Sequence, residues 1–457
     1  MEFQGEFQEN FQTAFNKSLE KLGPFEDNPH LAVAVSGGSD SVSLALLAKT
    51  WVRQHIPKGF QNVGTHNLKD EGKTGTLTAL IVDHGLRQES AAEAQQVRML
   101  LASHQIPAVI LRWTEEKPHN RLQERAREAR YRLLTEWCCQ HQVLHLLLGH
   151  HQDDQRETFQ LRRAKKSGIL GLSGMSSILE TPSVRILRPL LQFPKSRLRR
   201  YLTLQNIPFV EDPSNANLKY SRTALRRETM PPQEQERLER KIERYGLRRL
   251  QKENEINTAV SECVEVFPEG YGILDRSAYQ KLSNKQQRDV LQRCIMTFGV
   301  GQYPPRRDSL ETVMKNLGMT CTLHGCLILN RQGKIFFVRE PQKSECAPLS
   351  GKSNTLRWDD RFILSFSPNN SLLKNADDKI HVGPLKEKGW MQIKQTPEGK
   401  LLKAFPHAVR LGFPSLWKES RFFHLLMPFS SKFTKKKEYV IYFAPRYPLT
   451  RFTFTIV

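Results

Sequence analysis

An apolar run that ends in a glycine-rich turn is the feature that most constrains how this chain can fold. Leu31 to Val35 is apolar, Ser36-Gly-Gly-Ser-Asp-Ser41 follows it, and a helical spacing of apolar residues begins at Val42. This pattern predicts a buried strand, a loop and a helix. The free backbone N–H groups of such a loop and the positive end of the helix dipole both favour a bound anion. We therefore interpret the segment as a phosphate-binding loop rather than a plain tight turn.

This loop differs from that of ordinary P-loop nucleotide-binding proteins. Their loop carries a lysine directly before its last serine or threonine, where it reaches the terminal phosphates, whereas this chain has Asp40 and Ser41 there. An aspartate repels phosphates unless a cation lies between them. We therefore predict a bound Mg²⁺.

Length, charge and cysteine content set the broad class of protein. A chain of 457 residues is too long for one ordinary core, so we expect two or three domains. The formal net charge of +22 favours a polyanionic partner, most commonly nucleic acid, over a merely solvated basic surface or an anionic membrane. The sequence shows neither a membrane span nor a signal-peptide pattern, which predicts a cytoplasmic protein without a membrane partner. The seven scattered cysteines, never spaced Cys-x-x-Cys, argue against a disulfide framework or a zinc ribbon.

Strands and helices alternate through the first half of the chain. Further strands are predicted at Leu77 to Val82, Ala108 to Leu111 and Val143 to Leu148. Strands separated by helical segments predict a parallel sheet with helices on both faces. Ligands of such sheets bind at the carboxyl ends of the strands, which is where the polar clusters of this sequence fall.

A group of histidine and acidic residues, His150 to Glu157, follows the fourth predicted strand. If the chain turns helical here, Asp153 and Asp154 lie in its first turn, and Glu157 lies one turn beyond Asp154 on the same face. Such a group can bind a divalent ion, hold an ammonium group or act as acid and base. Zinc is disfavoured because the histidines lack the i, i+4 spacing. Simple complementation of the helix dipole is the alternative.

Six segments together carry a resemblance to a known family. In chain order they are Ser36-Gly-Gly-Ser-Asp-Ser41, Asp83-His-Gly-Leu-Arg87, Ala126-Arg-Glu-Ala-Arg-Tyr131, Gly149-His-His-Gln-Asp-Asp-Gln-Arg-Glu-Thr158, Leu187-Arg-Pro-Leu-Leu191 and Glu211-Asp-Pro-Ser-Asn215. This series resembles the bacterial tRNA(Ile)-lysidine synthases, which are N-type ATP pyrophosphatases. The resemblance covers about the first 225 residues well and extends loosely beyond them.

The resemblance implies a two-step reaction on the wobble cytidine of an isoleucine tRNA. ATP adenylates the C2 oxygen of the base and releases pyrophosphate; the amine of free lysine then attacks C2 and expels AMP, leaving lysidine. Mg²⁺ would be held by Asp40 and Asp153, and the lysine ammonium groups by Asp154 and Glu157. The residues given a catalytic role are Asp40, Arg130 and His150. The ATP-binding residues are Ser36, Gly37, Gly38, Ser39, Asp40, Ser41, Asp83 and His84.

The resemblance implies that the later domains of the chain hold the body of the tRNA. We expect a catalytic domain at 1–225, a helical domain at 226–345 and a small α+β or β domain at 355–457, with strands at Phe362 to Phe366, Glu438 to Phe443 and Arg451 to Val457. The residues predicted to contact tRNA are Arg222, Arg226, Lys435, Lys436 and Lys437. For the three lysines, a solvated edge strand is the alternative. A homodimer stays open.

Two other functions compete with this interpretation. One is a tRNA thiolase on the same scaffold, whose chemistry usually needs paired cysteines near the site; Cys138 and Cys139 lack that spacing. The other is a non-catalytic RNA-binding protein with a relic nucleotide fold. Its loops would have lost their acidic residues, and the loops of this chain retain them.

Overall fold

The computed structural model describes residues 2–54, 75–115, 117, 120–181, 183–210, 230–301, 303–349, 355–367, 380–427 and 439–456. They form two compact units: one comprises Met1–Gln251 with Phe452–Val457, and the other Lys252–Arg451. The predicted tRNA contacts at Arg222, Arg226 and Lys435 to Lys437 lie outside the described residues. The division into three domains stays a prediction.

The first unit alternates helices and strands. Its elements are α1 (Glu2–Glu20), β1 (His30–Ala34), α2 (Ser39–Gln54), β2 (Thr76–Asp83), α3 (Ser90–Ser103), β3 (Ala108–Arg112), α4 (Leu122–Gln140), β4 (His145–Leu147), α5 (Gln152–Ala164), α6 (Ile169–Leu172), β5 (Ile178–Glu180), β6 (Arg185–Leu187), α7 (Lys195–Thr203) and α8 (Pro232–Cys263), which continues past the division between the units. The four strands predicted for the first half of the chain are all present.

A six-stranded sheet in the order β3-β2-β1-β4-β6-β5 organises this unit. All neighbouring strands are parallel except β5 and β6. Leu31 and Val33 of β1 pack into a core with helices α1, α2, α3 and α7, whereas Ala32 packs with α4 on the opposite face. This alternation, which follows from the two-residue period of a strand, confirms the predicted parallel sheet covered on both faces.

The second unit is richer in antiparallel strands. Its elements are β7 (Val264–Phe267), β8 (Tyr271–Leu274), α9 (Arg276–Gln280), α10 (Asn284–Gly299), α11 (Arg307–Lys315), β9 (Cys321–Leu323), β10 (Cys326–Arg331), β11 (Lys334–Arg339), a short 3₁₀ turn (Pro341–Lys343), β12 (Ala347–Pro348), β13 (Thr355–Trp358), β14 (Phe362–Phe366), β15 (Ile380–Pro384), α12 (Lys386–Ile393), α13 (Pro397–Leu402), α14 (His407–Leu411), β16 (Pro414–Lys418), β17 (Arg421–Leu425) and β18 (Tyr439–Phe443).

A five-stranded antiparallel sheet, β7-β8-β11-β10-β9, is the part of this unit that the sequence analysis did not predict. One face packs against α10 through Val290, Ile295 and Phe298, and the other packs against helices α12 to α14. The region expected to be helical is therefore a mixture of helix and sheet. The signal for the sheet is the alternation of buried residues at Cys326 and Ile328, too short to stand out.

The strand predictions for the end of the chain have mixed outcomes. Phe362–Phe366 and Tyr439–Phe443 are neighbouring strands, as expected. The strand predicted from Arg451 is wrong, because residues 451–456 form no strand. Instead, Thr455 hydrogen bonds with Ser176 and Ser177 of the loop before β5, so its backbone groups are satisfied outside a sheet. Within the described residues, no helix has the length and apolar character to cross a membrane.

Candidate functional site

The phosphate-binding loop connects β1 to α2 and is closed by its own hydrogen bonds. Ser36 N donates to Ser41 Oγ at 3.1 Å, and that hydroxyl donates to Gly38 O at 3.0 Å. Gly37 has a φ of +87°, and a Cβ on it would lie 2.6 Å from a methyl of Val97. Glycine is therefore required at this position, as expected where the backbone is left-handed and closely packed.

A cavity of about 560 Å³ lies beside this loop, at the carboxyl ends of β1, β2 and β4. Arg130 and His150 line it. Gly37 and Ser39 belong to the same loop, and the Ser39 hydroxyl donates to Asp40 Oδ1 at 3.0 Å. The predicted ATP-binding residues that line the cavity are Ser36, Gly38, Asp40, Ser41, Asp83 and His84. The structure thus gathers the predicted nucleotide-binding and catalytic residues around one space.

Two neighbouring strands bring the His150 segment to the loop. β1 and β4 pair in parallel, so the chain leaves both strands at the same edge of the sheet. A Cβ at Gly149 would lie 3.3 Å from backbone atoms of Asp40 and Ser41, so a larger residue would force the loop and the strand end apart. This close approach joins two motifs that are more than a hundred residues apart in sequence.

His151 lies at the centre of a charged cluster next to the loop. Its Nε2 atom is 3.3 Å from Asp40 Oδ2 and 3.6 Å from Asp154 Oδ2, and its Nδ1 atom is 3.5 Å from Asp153 Oδ2. The imidazole is 3% exposed, so these ionic contacts are shielded from water. Lys195, at the start of α7, places its Nζ 3.5 Å from Asp40 Oδ2.

The protonation states of this cluster follow from burial and charge. Burial lowers the pKa of His151, but its contacts with Asp153 and Asp40 outweigh burial and raise the pKa to about 9. Burial raises the pKa of Asp40, but the hydrogen bond with His151 and the charges of His151 and Lys195 bring the net pKa below its usual value. At neutral pH, His151 is therefore an imidazolium ion beside ionised carboxylates.

The two residues predicted to bind lysine lie on α5. Asp154 Oδ2 accepts a hydrogen bond from His151 N at 3.0 Å, so this carboxylate also caps the helix. Glu157, one turn further, is buried. The alternative interpretation, an acidic first turn that complements the helix dipole, accounts for part of the role of Asp154 but not for a buried glutamate.

His150 and His84 differ from His151 in charge. Burial lowers the pKa of His150 well below its usual value, and the guanidinium groups of Arg188 and Arg130 lower it further. The pKa of His84 is lowered by burial and then by Arg130. Both rings are neutral at pH 7, and among the described residues neither buried Nδ1 atom has a hydrogen-bond partner. A neutral imidazole has one nitrogen that donates and one that accepts a hydrogen bond.

Known proteins are similar to this chain over most of its length. Residues 6–233 match the PP-loop domain family. The tRNA(Ile)-lysidine synthase of Orientia tsutsugamushi (strain Boryong) is 34% identical over 369 residues, which cover 77% of this chain and 79% of the relative. The chain belongs to the tRNA(Ile)-lysidine synthase family. A second member, from Wolbachia sp. subsp. Brugia malayi (strain TRS), is 34% identical over 372 residues, 79% of this chain and 81% of that one.

Among solved structures, the U34-tRNA thiolase NcsA from Methanococcus maripaludis with its [4Fe-4S] cluster is similar at a TM-score of 0.42 and 16% identity, over 53% of this chain and 79% of that one. Membership of the lysidine synthase family does not favour the thiolase alternative. All seven cysteines are free thiols, and the described residues that line the cavity include no cysteine.

The sequence analysis of this lysidine synthase family member missed two residues of the site. His151 was treated only as a neighbour of His150, although its ring is the one that joins the carboxylates. Lys195, at the start of α7, places its ammonium group next to Asp40 of the loop. The loop, which has no lysine of its own, therefore has a lysine beside it in the fold. The only signal for Lys195 is its place a few residues after the Leu187 to Leu191 motif.

Proposed function

We propose that this chain ligates lysine to C2 of the wobble cytidine of an isoleucine tRNA, the reaction that the name of its family describes. In the first step the C2 oxygen attacks the α-phosphorus of ATP, the bond to pyrophosphate breaks, and pyrophosphate leaves. In the second step an amine of lysine attacks C2, AMP leaves with the former C2 oxygen, and the amine loses a proton. The cavity that gathers the phosphate loop, Arg130 and His150 at one sheet edge is the observation that carries this proposal.

The loop and the start of α2 hold the phosphates of ATP in this proposal. Gly38, Ser39 and Asp40 lie at the positive end of the α2 dipole, where backbone N–H groups favour anions. Lys195 adds a positive charge on the same side as the Asp40 carboxylate. Pyrophosphate gains charge as it leaves, so donors fixed in this way stabilise the transition state more than the bound ATP.

The acidic groups fit a Mg²⁺ ion that is bound mainly through substrate phosphates. Mg²⁺ commonly takes one or two protein carboxylates and completes its octahedron with phosphate oxygens and water. Among the described residues, no group of three or more His, Cys, Asp or Glu side chains is arranged to hold a metal ion. Asp40 and Asp153 are the proposed ligands, and the proposal has more support for Asp40 because that residue lines the cavity. When bound, the ion offsets the charge on the departing pyrophosphate.

Arg130 and His150 act on the reacting atoms in this proposal. Arg130 lines the cavity, and in this proposal its permanently charged guanidinium group neutralises the α-phosphate. His150 is neutral, so it offers one N–H to the base or to the departing AMP without adding charge. Asp154 and Glu157 hold the ammonium groups of lysine, since paired carboxylates favour a cation and orient the attacking amine.

The tRNA contacts are proposed from charge alone. A net charge of +22 gives the chain strong attraction for the phosphate backbone of RNA. Arg222, Arg226 and Lys435 to Lys437 remain our proposed contacts. A tRNA substrate also supports the cytoplasmic location predicted from the sequence, and a homodimer stays a prediction.

Mass spectrometry of the nucleosides of an isoleucine tRNA tests the proposal directly. We expect incubation with the purified chain, ATP, Mg²⁺ and lysine to convert one cytidine into a product heavier by one lysine residue, with one AMP formed for each. Omitting lysine, or replacing the wobble cytidine by uridine, should remove the product. A sulfur-dependent product in place of the lysine adduct would identify a thiolase, and RNA binding without AMP formation would identify a binding protein.

A further inference from the structure

Arg156 connects the helix that carries the acidic cluster to the beginning of the long helix α8. Its Nη1 atom donates to Gln235 Oε1 at 2.5 Å and to Glu239 Oε1 at 3.2 Å, and its Nη2 atom contacts Asp153 Oδ1. The arginine side chain is 13% exposed, so water screens these charged contacts less than it screens a surface ion pair. The chemistry described above assigns no role to Arg156, Gln235 or Glu239.

The contacts of Asp153 continue this connection to the phosphate loop. While Arg156 holds one oxygen of Asp153, the other oxygen accepts a hydrogen bond from Lys195 N at 2.8 Å and lies 3.5 Å from His151 Nδ1. His151 in turn lies 3.3 Å from Asp40. A continuous series of polar contacts therefore runs from α8 to the aspartate of the loop.

A carboxylate that accepts hydrogen bonds at both oxygens cannot rotate freely. Without Arg156, Asp153 would keep its contacts with Lys195 N and His151 at Oδ2, but Oδ1 would have lost the group that holds it, so the carboxylate could rotate about its contacts at Oδ2. Arginine suits this position because its planar fork bonds two acceptors on different elements at once, which a lysine ammonium on a flexible stem does less well. Groups of this kind, which orient ligands of a site, are typically worth about 10 to 100-fold in activity.

We propose that Arg156, held by Glu239 and Gln235 of α8, is a positioning residue that fixes Asp153 against His151, the residue that contacts Asp40, and so makes the adenylation step depend on where α8 begins. The inference rests on the proposed function. It adds that α8, which follows the segment carrying Arg222 and Arg226, is part of the machinery that sets the rate of ATP cleavage.

Pyrophosphate release by Arg156→Gln, measured with saturating tRNA and lysine, tests this inference. We expect kcat to fall about 10-fold or more, with the KM for lysine changed less than about twofold. Glu239→Gln leaves Arg156 in place but loosens it, and should lower kcat about threefold. Arg156→Lys should fall between wild type and Arg156→Gln.

Glu236→Gln is the matched control, because Glu236 lies on the same helix but contacts the exposed Arg240 at 3.9 Å. Its kcat should stay within about twofold of wild type. Thermal unfolding of each variant identifies any that is simply misfolded, and Glu239→Gln remains informative if Arg156→Gln does not fold.

A double-mutant cycle separates positioning from a merely structural role. If Arg156 acts through Asp153, then Arg156→Gln should lower single-turnover pyrophosphate release far less in an Asp153→Asn background than in wild type. Fully additive effects would overturn the inference, as would an Arg156→Gln enzyme that matches Glu236→Gln. If the wild-type chain makes no lysidine, the proposed function fails; if it does and Arg156→Gln is normal, only this inference fails.

Discussion

Two charged clusters in this protein both join aspartate to cationic side chains, but for different purposes. In the first unit, Asp40 lines the cavity and contacts His151, which also contacts Asp153, and the two aspartate side chains are 22% and 36% exposed. In the second unit, Asp359 is 4% exposed and is bracketed by Arg339 at 3.1 Å and Arg361 at 2.8 Å. The first cluster faces a space that can admit a ligand, whereas the second is enclosed.

The enclosed cluster around Asp359 contributes to stability, whereas the more open cluster around Asp40 can take part in chemistry. Asp359 also accepts a hydrogen bond from Ser344 Oγ at 2.9 Å, so its oxygens are directed at groups of the protein. Burial lowers the pKa of Arg361 to about 10 despite the nearby carboxylate. A cluster of this kind holds the second unit together, and the cluster near Asp40 keeps carboxylate surface for a substrate or an ion. The residue types of a charged cluster do not by themselves show whether it is enclosed or open to a ligand.

Replacing Asp40 should give the largest effect, and on activity alone. For Asp40→Asn we expect pyrophosphate release to fall on the order of 10³-fold, because the Mg²⁺ ion that offsets the charge on the departing pyrophosphate would lose its proposed carboxylate ligand. The midpoint of thermal unfolding should change little, since His151 keeps Asp153 and Asp154 as partners. Rapid-quench assays of pyrophosphate and a melting curve on the same preparation make the measurement. Full activity in Asp40→Asn would remove this residue from the mechanism.

Replacing Asp359 should lower stability rather than activity. Asp359→Asn leaves two buried guanidinium groups without their carboxylate, so we expect the free energy of unfolding of the second unit to fall by about 3 kcal/mol. Asp360→Asn is a matched control, since Asp360 also has a positive φ but pairs with the exposed Arg446 at 3.2 Å. That control should cost under about 1 kcal/mol in denaturant unfolding. Equal losses in the two variants would contradict the contrast between the clusters.

The stability of the first unit should depend on pH through His151. Its pKa is about 9 in the folded protein and about 6.5 when unfolded, so proton binding stabilises the fold fully below pH 6.5 and progressively less as the pH rises through 9. Without ATP and Mg²⁺, we expect the free energy of unfolding to fall by about 3 kcal/mol across that window. The slope should be missing in His151→Gln. A wild-type protein that becomes more stable over the same range would contradict the charge assigned to His151.

The cysteines of α4 should give the smallest effect. Cys138 is buried and Cys139 is exposed, and burial raises the pKa of Cys138 to about 12, so its thiol stays protonated. We expect Cys139→Ser to form lysidine within about twofold of wild type, with Cys138→Ser affecting stability more than rate. Nucleoside mass spectrometry of both variants checks this. Loss of activity in Cys139→Ser would contradict this expectation and favour sulfur chemistry.

Much of the first unit could be predicted because its signals are local. The strand, loop and helix around Ser36 to Ser41 are indicated by consecutive residues. The acidic residues at the start of α5 also lie next to one another in the sequence. The sheet in the second unit was harder to predict because β9 to β11 are short and interrupted by tight turns at Gly325 and Gly333. The end of the chain looked like a strand, yet its hydrogen bonds go to Ser176 and Ser177.

The sequence by itself determined that a phosphate loop without lysine, a histidine and carboxylate group and a strongly basic chain occur together, because each depends only on residue type and spacing. The tertiary structure decided which of these groups meet. Pairing of β1 with β4 sets His151 beside Asp40, and α7 brings Lys195 to the same carboxylate. Strand order and helix packing arise from contacts across the whole chain, so no local pattern records these distances.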